Sequence, residues 1–450
     1  MKSIRWGFVL LAPLLLVPPT RAQGLALEWS WTTAGSGDPF PNHVHVVSTP
    51  LVMDMNADGT PDVVFTATDS SSGAMILPGV VRVVSGDDGR ELVVPGVLVN
   101  ATCTVALGDI DGDGRPEIVT VDESGGKLLV LEHDGTLKWK ATWFLSDVCA
   151  AGAPSLADLD GDGTPEIVMG RQAVRNDGTL MWTGTGTSGK PILGPHSVVV
   201  DLDLDGDLEV LAGPTAYTAG GGVLWTNPAP DGYTAVANLD GDSFPEVVLV
   251  EGGRVRLLDG ESGTTRWGPV SIPGGGLGGP PTLADVEGDG TPEIAVSASY
   301  QLAVFESDGQ LKWNAAISDA SSQRAGIAAF DLDANGAAEI VHRDEYFLRV
   351  FRGNDGAVLR QTALSSCTWT EYPTVADVDV DGSAEILVGA NSNCGLGTDH
   401  GVFAFESAGD PWGPARPLWN EYGYHVTNVN DDGTVPAVEK RHWLFLNGFR

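Results

Sequence analysis

The sequence predicts an all-β chain folded as a β-propeller of four-stranded blades, and three observations carry that prediction. An acidic nine-residue pattern recurs eight times, starting at Asp54, Asp109, Asp158, Asp201, Asn238, Asp285, Asp331 and Asp377. The starts lie 55, 49, 43, 37, 47, 46 and 46 residues apart, which is the period of a repeat array. Between copies, short apolar runs alternate with Gly, Pro, Asn and Asp and show no helical period.

Each repeat reads as four strands. In the third copy, APSLADL (153–159) leads into the acidic loop and PEIVMG (165–170) leaves it. AVRNDG (173–178) and TLMW (179–182) complete the unit. First strands carry small residues (Gly152, Ala153, Gly278, Gly279, Ala325, Gly326), as the crowded centre of a radial array requires. Fourth strands carry Trp139, Trp182, Trp225, Trp267 and Trp313, with Leu92 and Leu359 marking that strand in two repeats without Trp. A bulky ring there fills the gap that widens between outer strands of adjacent blades. LALEWSW (25–31) looks like a fourth strand without its blade, whereas the last repeat ends at EILVGA (385–390) and GVFAFES (401–407). Placing the N-terminal strand in the last blade removes the open edge and gives eight blades. A seven-bladed ring with one repeat outside it is the alternative.

The segments follow. Residues 1–22 read as a signal peptide: Lys2 and Arg5, an apolar run Phe8 to Val17, and Thr20-Arg21-Ala22 before Gln23. The apolar run is short for a membrane span, so an exported chain without a transmembrane domain is expected, whether secreted, periplasmic or on the cell surface. Residues 23–409 form the propeller, and 410–450 pack on it or close it. Four cysteines in an exported chain suggest disulfides, and repeat position favours Cys103 with Cys149 and Cys367 with Cys394. The net charge of −35 argues against nucleic acid and anionic membranes as partners.

The acidic loops carry the chemistry. Positions 1, 3, 5 and 9 are Asp54, Asn56, Asp58 and Asp62 in the first, then Asp109, Asp111, Asp113 and Glu117. The third and fourth hold Asp158, Asp160, Asp162, Glu166 and Asp201, Asp203, Asp205, Glu209. The fifth and sixth hold Asn238, Asp240, Asp242, Glu246 and Asp285, Glu287, Asp289, Glu293. The last two hold Asp331, Asp333, Asn335, Glu339 and Asp377, Asp379, Asp381, Glu385. Position 6 is Gly except at Ser243, which suits a sharp turn. Hard oxygens at alternate positions round such a turn suit Ca²⁺, up to about eight ions, whereas Mg²⁺ needs a rigid octahedron. The last carboxylate at position 9 and the flanking strands distinguish the loop from an EF-hand. These loops hold 29 of the 60 carboxylates, and eight Ca²⁺ would bring the charge from −35 to −19. Binding to the folded state stabilises each site by ~2.7 kcal/mol at free calcium 100-fold above Kd.

The eightfold D-x-D-x-D-G-x-x-[DE] pattern resembles the FG-GAP or VCBS repeats of bacterial exported proteins and is similar to the calcium-binding blades of integrin α-subunit propellers. EILVGAN (385–391) and EVLAGPT (209–215) approach the second half of the integrin signature, and its Phe-Gly half is missing. The resemblance implies an extracellular or cell-surface binding and adhesion module for a protein or glycan, with structural calcium. RPLWNEYGYHVTNVNDDGTVP (416–436) resembles a terminal segment that follows such repeats, and NVNDDG (428–433) reads as a turn rather than a ninth loop.

No G-x-S-x-G, H-E-x-x-H or P-loop is present. His43 and His45 are expected to line the channel. The alternative is a calcium-dependent polysaccharide lyase, since some such enzymes are eight-bladed propellers with similar loops. A binding surface is expected on the end opposite the acidic corners, with Trp143, Phe144, Tyr217, Tyr233, Trp369 and Tyr372 as candidate contacts.

Overall fold

Alternating apolar residues bounded by turn signals become antiparallel strands, and the computed structural model groups these into eight sheets. It describes residues 24–69, 74–190 and 194–450. The leader expected over residues 1–22 lies outside the described residues. The third blade shows the unit: Ser155–Ala157, Glu166–Met169, Gln172–Val174 and Leu180–Thr183, in that order across the sheet. Its first three strands are wholly buried, and only the fourth exposes residues. Antiparallel order puts the acidic loops of all eight blades, and the strand-three-to-four hairpins of blades one to seven, at one end. The strand-two-to-three turns and the links between blades lie at the other.

The ring closes as expected. Leu25–Trp31 pairs antiparallel with Gly401–Ser407, Leu25 opposite Ser407 and Trp31 opposite Val402. This strand completes the eighth blade, and the seven-bladed alternative is excluded. Blade one departs from the pattern. Its first strand is split into His45–Val46 and Leu51–Met53, both paired with Asp62–Thr68. Its fourth strand, expected around Leu92, has only a bridge between Val84 and Glu91 there; the ladder resumes at Leu98–Asn100. Pro95 lacks the N–H that would continue it.

The tryptophans join neighbouring blades. Trp139, Trp182, Trp225, Trp267 and Trp313 each donate the indole N–H to a hairpin carbonyl in the next blade, at 2.6–2.9 Å. Trp29 does the same from blade eight to Gly86 of blade one. Each ring lies on a glycine of that hairpin. A Cβ on Gly263, for example, would meet Trp225 Cε3 at 2.3 Å, and its φ of +68° already disfavours a side chain.

Residues 410–450 run across the inner strands of all eight blades. Trp419 and Val52 exchange backbone hydrogen bonds, Asn420 accepts from Leu107, Phe449 pairs with Leu283 and Arg450 accepts from Ala329. Glu421 accepts from Leu156 at 2.9 Å, Arg441 donates to Asp201, His442 meets the Val236 carbonyl and Asp377 donates to Arg416 O. Trp419, Tyr422, His442 and Phe449 are buried there. No helix among the described residues is long and apolar enough to cross a membrane.

Candidate functional site

Every acidic loop uses the same local wiring. The position-9 carboxylate accepts the backbone N–H of position 2, at 2.8–3.0 Å in all eight. That bond occupies one oxygen and leaves the other facing the loop. Position 5 accepts the N–H of position 7, as Asp58 does from Thr60 and Asp162 from Thr164, both at 2.9 Å. These turns hold the carboxylates inward before any ligand arrives. Burial pushes the position-9 acids up, Glu117 and Glu166 to about 7 and Glu209 and Glu385 to about 8.

Two further observations fit a cation. In loops two, three and four, one oxygen each from positions 1, 3 and 9 lies within 4.8 Å of the others. Asp201 Oδ1 and Asp377 Oδ1 are buried with no hydrogen-bond partner. A buried carboxylate oxygen without a donor is costly unless a cation meets it. An all-oxygen set on a flexible turn fits Ca²⁺. Positions 1, 3, 5 and 9 of the loops would hold it.

Position 4 was missed by sequence reasoning. Its backbone is left-handed in every loop: Gly112, Gly161, Gly241 and Gly288, and also Ala57 (φ 58°), Leu204 (64°), Ala334 (55°) and Val380 (62°). A β-branched residue in that conformation is an outlier that the surroundings must enforce.

The residue before each tryptophan was also read only as part of a strand. A bulge there turns it toward the acidic loop, as the register skip between Leu137 and Trp139 shows. In blade two the residue is Lys138, whose Nζ lies 2.7 Å from Asp111, 3.2 Å from Glu117 and 3.0 Å from Glu132. In blade five it is Arg266, which meets Asp240, Glu246 (3.2 Å) and Asp259 (2.8 Å). In blade six it is Lys312, 2.5 Å from Glu287 and 3.0 Å from Glu306. Blades one, three, four and seven place Leu92, Met181, Leu224 and Leu359 there. Blade eight places Glu28, whose Oε2 is buried and unpaired and whose pKa burial and the nearby Asp379 raise to about 7. Loop five departs further, because Asn238 Nδ2 donates to its own loop at Asp242 O.

The other sequence candidates are placed as follows. Cys103–Cys149 and Cys367–Cys394 are disulfides, each with Cα atoms 5.8 Å apart. His43 packs on Phe40 at 5.1 Å and His45 on His400 of blade eight at 5.4 Å. Tyr217, Tyr233 and Tyr372 are corrected from contact residues to core. Tyr217 donates to Thr187 O, Tyr233 packs on His196, and Tyr372 donates to Tyr422 O. Trp143 and Trp369 are half-buried; Phe144 is 70% exposed, with Lys127 Nζ 4.7 Å from its ring. In the 428–433 turn, Arg416 takes Asp431 at 2.7 Å and Gly433 O accepts from Asp109 N–H, so this turn packs on loop two. A cavity of about 630 Å³ lies at the acidic-corner end, lined by Asp285, Asp331, Arg416, Trp419, Tyr424 and Phe445 among others.

A family model described as the FG-GAP-like repeat matches residues 54–120, 109–169 and 238–296. No curated protein matches the chain. Among solved structures, the V. cholerae biofilm matrix protein Bap1 superposes with a TM-score of 0.81 at 22% identity, over 96% of this chain and 99% of that one. The exotype rhamnogalacturonan lyase YesX gives 0.57 at 18%, over 85% and 75%. Rhamnogalacturonan lyase PL11 of Bacillus licheniformis gives 0.56 at 16%, over 85% and 75%. At these identities the likeness is one of fold. Repeat, ring and family model agree: the chain carries FG-GAP-like repeats over residues 54–169 and 238–296 and folds as an eight-bladed β-propeller.

Proposed function

We propose that this propeller is an exported, calcium-loaded binding module that engages a protein or glycan outside the cell, with calcium serving the fold. The observation that carries the calcium reading is the shared loop wiring, which leaves one inward oxygen on each position-9 carboxylate. Loops one, three, four, seven and eight take the ions; Arg175 on Asp160 and Arg441 on Asp201 touch loops three and four but leave Glu166 and Glu209 free. Loops two, five and six already hold Lys138, Arg266 and Lys312 against their carboxylates and bind calcium more weakly.

Two disulfides suit an oxidising compartment. A biofilm matrix protein with this fold over its whole length supports an extracellular role. The cavity at the acidic-corner end, with Trp419, Tyr424 and Phe445 beside Arg416, is the place a ligand enters. Phe144 and Trp143 offer a smaller surface at the other end.

The test is thermal unfolding of the mature protein in EDTA and in millimolar CaCl₂, with a metal count, followed by glycan-array and pull-down screening in calcium. A large upward shift with several Ca²⁺ per chain is expected. No shift and no metal would overturn the calcium reading. A second reading, a calcium-dependent polysaccharide lyase, draws support from the two lyases that share the fold. It requires absorbance at about 235 nm to rise when the protein meets acidic polysaccharides, as a base removes the uronate α-proton, the glycosidic C4–O bond breaks with its oxygen leaving as a protonated sugar hydroxyl, and a C4=C5 double bond forms.

A further inference from the structure

The C-terminal segment brings together two histidines and a glutamate that no acidic loop uses. One ligand atom each from His425, Glu439 and His442 lies within 4.8 Å of the other two. His425 Nδ1 is 3.0 Å from the Gly423 carbonyl, and His442 Nε2 is 2.9 Å from the Val236 carbonyl. A carbonyl can only accept, so each of these nitrogens carries a proton. In His442 that leaves the lone pair on Nδ1; in His425 it leaves Nε2, which holds a second proton against the Glu439 carboxylate until a metal displaces it. His425 Nε2 faces Glu439 Oε1 at 2.6 Å. His442 is 0% exposed, and its Nδ1 has no hydrogen-bond partner. Leaving a buried ring nitrogen unpaired costs about 1–3 kcal/mol. An imidazole tied to a carbonyl through one nitrogen, with the other turned inward, is the arrangement of a metal ligand.

The surroundings favour a metal other than calcium. Thr427 Oγ1 donates to Glu439 Oε1 at 3.0 Å and fixes the carboxylate. Phe449 stacks on His425 at 5.6 Å, and Trp443 packs edge-on to His442 at 5.1 Å. Calcium prefers oxygen donors. Two imidazoles and one carboxylate in an apolar shell suit Zn²⁺ or a similar first-row cation, with three protein ligands and one open position. Bonds of about 2.0–2.1 Å in a tetrahedron place ligand atoms about 3.3 Å apart, so the His425–Glu439 pair need open by less than about 1 Å.

We propose that His425 Nε2, His442 Nδ1 and Glu439 Oε1 form a binding site for one Zn²⁺-class divalent cation, separate from the acidic loops. The site joins three points of the C-terminal segment and, through the Val236 carbonyl, fastens them to blade five. It therefore fixes the segment that crosses all eight inner strands. His425 also lines the 630 Å³ cavity, so the metal would form part of that wall.

The test uses the full mature chain, stripped with chelator, given millimolar CaCl₂ to fill the loops, then titrated with Co²⁺. One equivalent is expected to bind with the strong visible d–d bands of a four-coordinate nitrogen–oxygen site, and Zn²⁺ should bleach them. Oxygen-only sites give weak bands, so the readout is independent of how many loops hold calcium. Two variants assign the ligands. His442→Phe removes a ligand but alters a buried ring. Glu439→Gln keeps a hydrogen-bond acceptor at a partly buried position and should fold as the parent does. Both should lose the bands, with Co²⁺ affinity down by more than the ~10–100-fold that outer-shell changes cost. Absence of strong bands in the parent would overturn the site and leave His425–Glu439 as a closing ion pair. So would bands that survive in Glu439→Gln.

Discussion

Replacing Lys138 by Met should convert loop two from a self-filled corner into a calcium site. Met181 occupies the matching bulge of blade three, so the substitution copies a side chain the fold already accepts there. Lys138 Nζ lies 2.7 Å from Asp111 and 3.2 Å from Glu117, two of the proposed calcium ligands. A Ca²⁺ about 2.4 Å from the same oxygens would sit about 4 Å from the ammonium. Repulsion between charges of +1 and +2 at that distance is about 2 kcal/mol in bulk water and about 8 kcal/mol at an effective dielectric of 20. The lower bound already corresponds to about 30-fold in affinity.

Titration calorimetry with a metal count should find one more Ca²⁺ in Lys138→Met than in the parent, bound at least ~30-fold more tightly at that loop. Without calcium the variant should be less stable by about 1–3 kcal/mol, because Asp111, Glu117 and Glu132 lose their shared counter-ion. The reciprocal change, Met181→Lys, should remove one ion from blade three. An unchanged count and affinity in both variants would refute the argument that the bulge residue sets occupancy.

Other consequences can be checked alongside. Val380 is 55% exposed with φ 62°, so Val380→Gly should raise metal-free stability by roughly 0.5–1 kcal/mol in denaturant melts, relief of left-handed strain exceeding glycine's entropy cost. Gly263→Ala should lower it by about 2–4 kcal/mol, since its Cβ would enter the Trp225 ring and its φ is positive. Burial and the nearby Arg450 charge push His196 down to about 3, so the unfolded chain takes up a proton near pH 6.5 that the folded chain refuses. Its contribution is intact above pH 6.5 and is lost as pH falls toward 3. The slope of stability against pH between 6 and 4 should be shallower in His196→Phe by up to ~1.4 kcal/mol per pH unit.

The ring was legible because eight repeats state the same instruction, and because LALEWSW reads as a fourth strand without its blade. The acidic loops were legible from residue type and spacing. The bulge residues were not. Alternation assigns Lys138, Arg266 and Lys312 to one strand face, and only the extra residue in the ladder redirects them. Tyr217, Tyr233 and Tyr372 misled because an aromatic in a loop reads as exposed. Here Thr187, His196 and Tyr422 cover them, the last from a segment with no periodicity to place it. The spacing of His425, Glu439 and His442 fits no helical or ribbon metal motif, so only the path of the C-terminal segment brings them together.

The disulfides take on meaning once the seams of the ring are compared. Each blade packs chiefly on its two neighbours, so the ring should open at its weakest seam. Six seams carry a tryptophan over a glycine. Between blades one and two, Val93 takes that place over Gly135. From blade seven to eight, Arg360 stands opposite Val350 as Trp313 does opposite Val304. Both links over these seams carry a cysteine: Cys103 between Asn100 and Ala106, Cys367 between Ala363 and Thr374. Losing most of a buried indole costs about 2–4 kcal/mol. Closing chain loops of 46 and 27 residues contributes about 4 kcal/mol each in the chain-entropy account, enough to offset it. The double change Cys103→Ala, Cys149→Ala should therefore lower stability by about 4 kcal/mol. Amide protection should fall first along Leu98–Asn100 and the 131–137 hairpin, beside the seam that lacks tryptophan. If protection fell equally at the Trp225 and Trp267 seams, the bridge would be stabilising the whole chain, not sealing that seam.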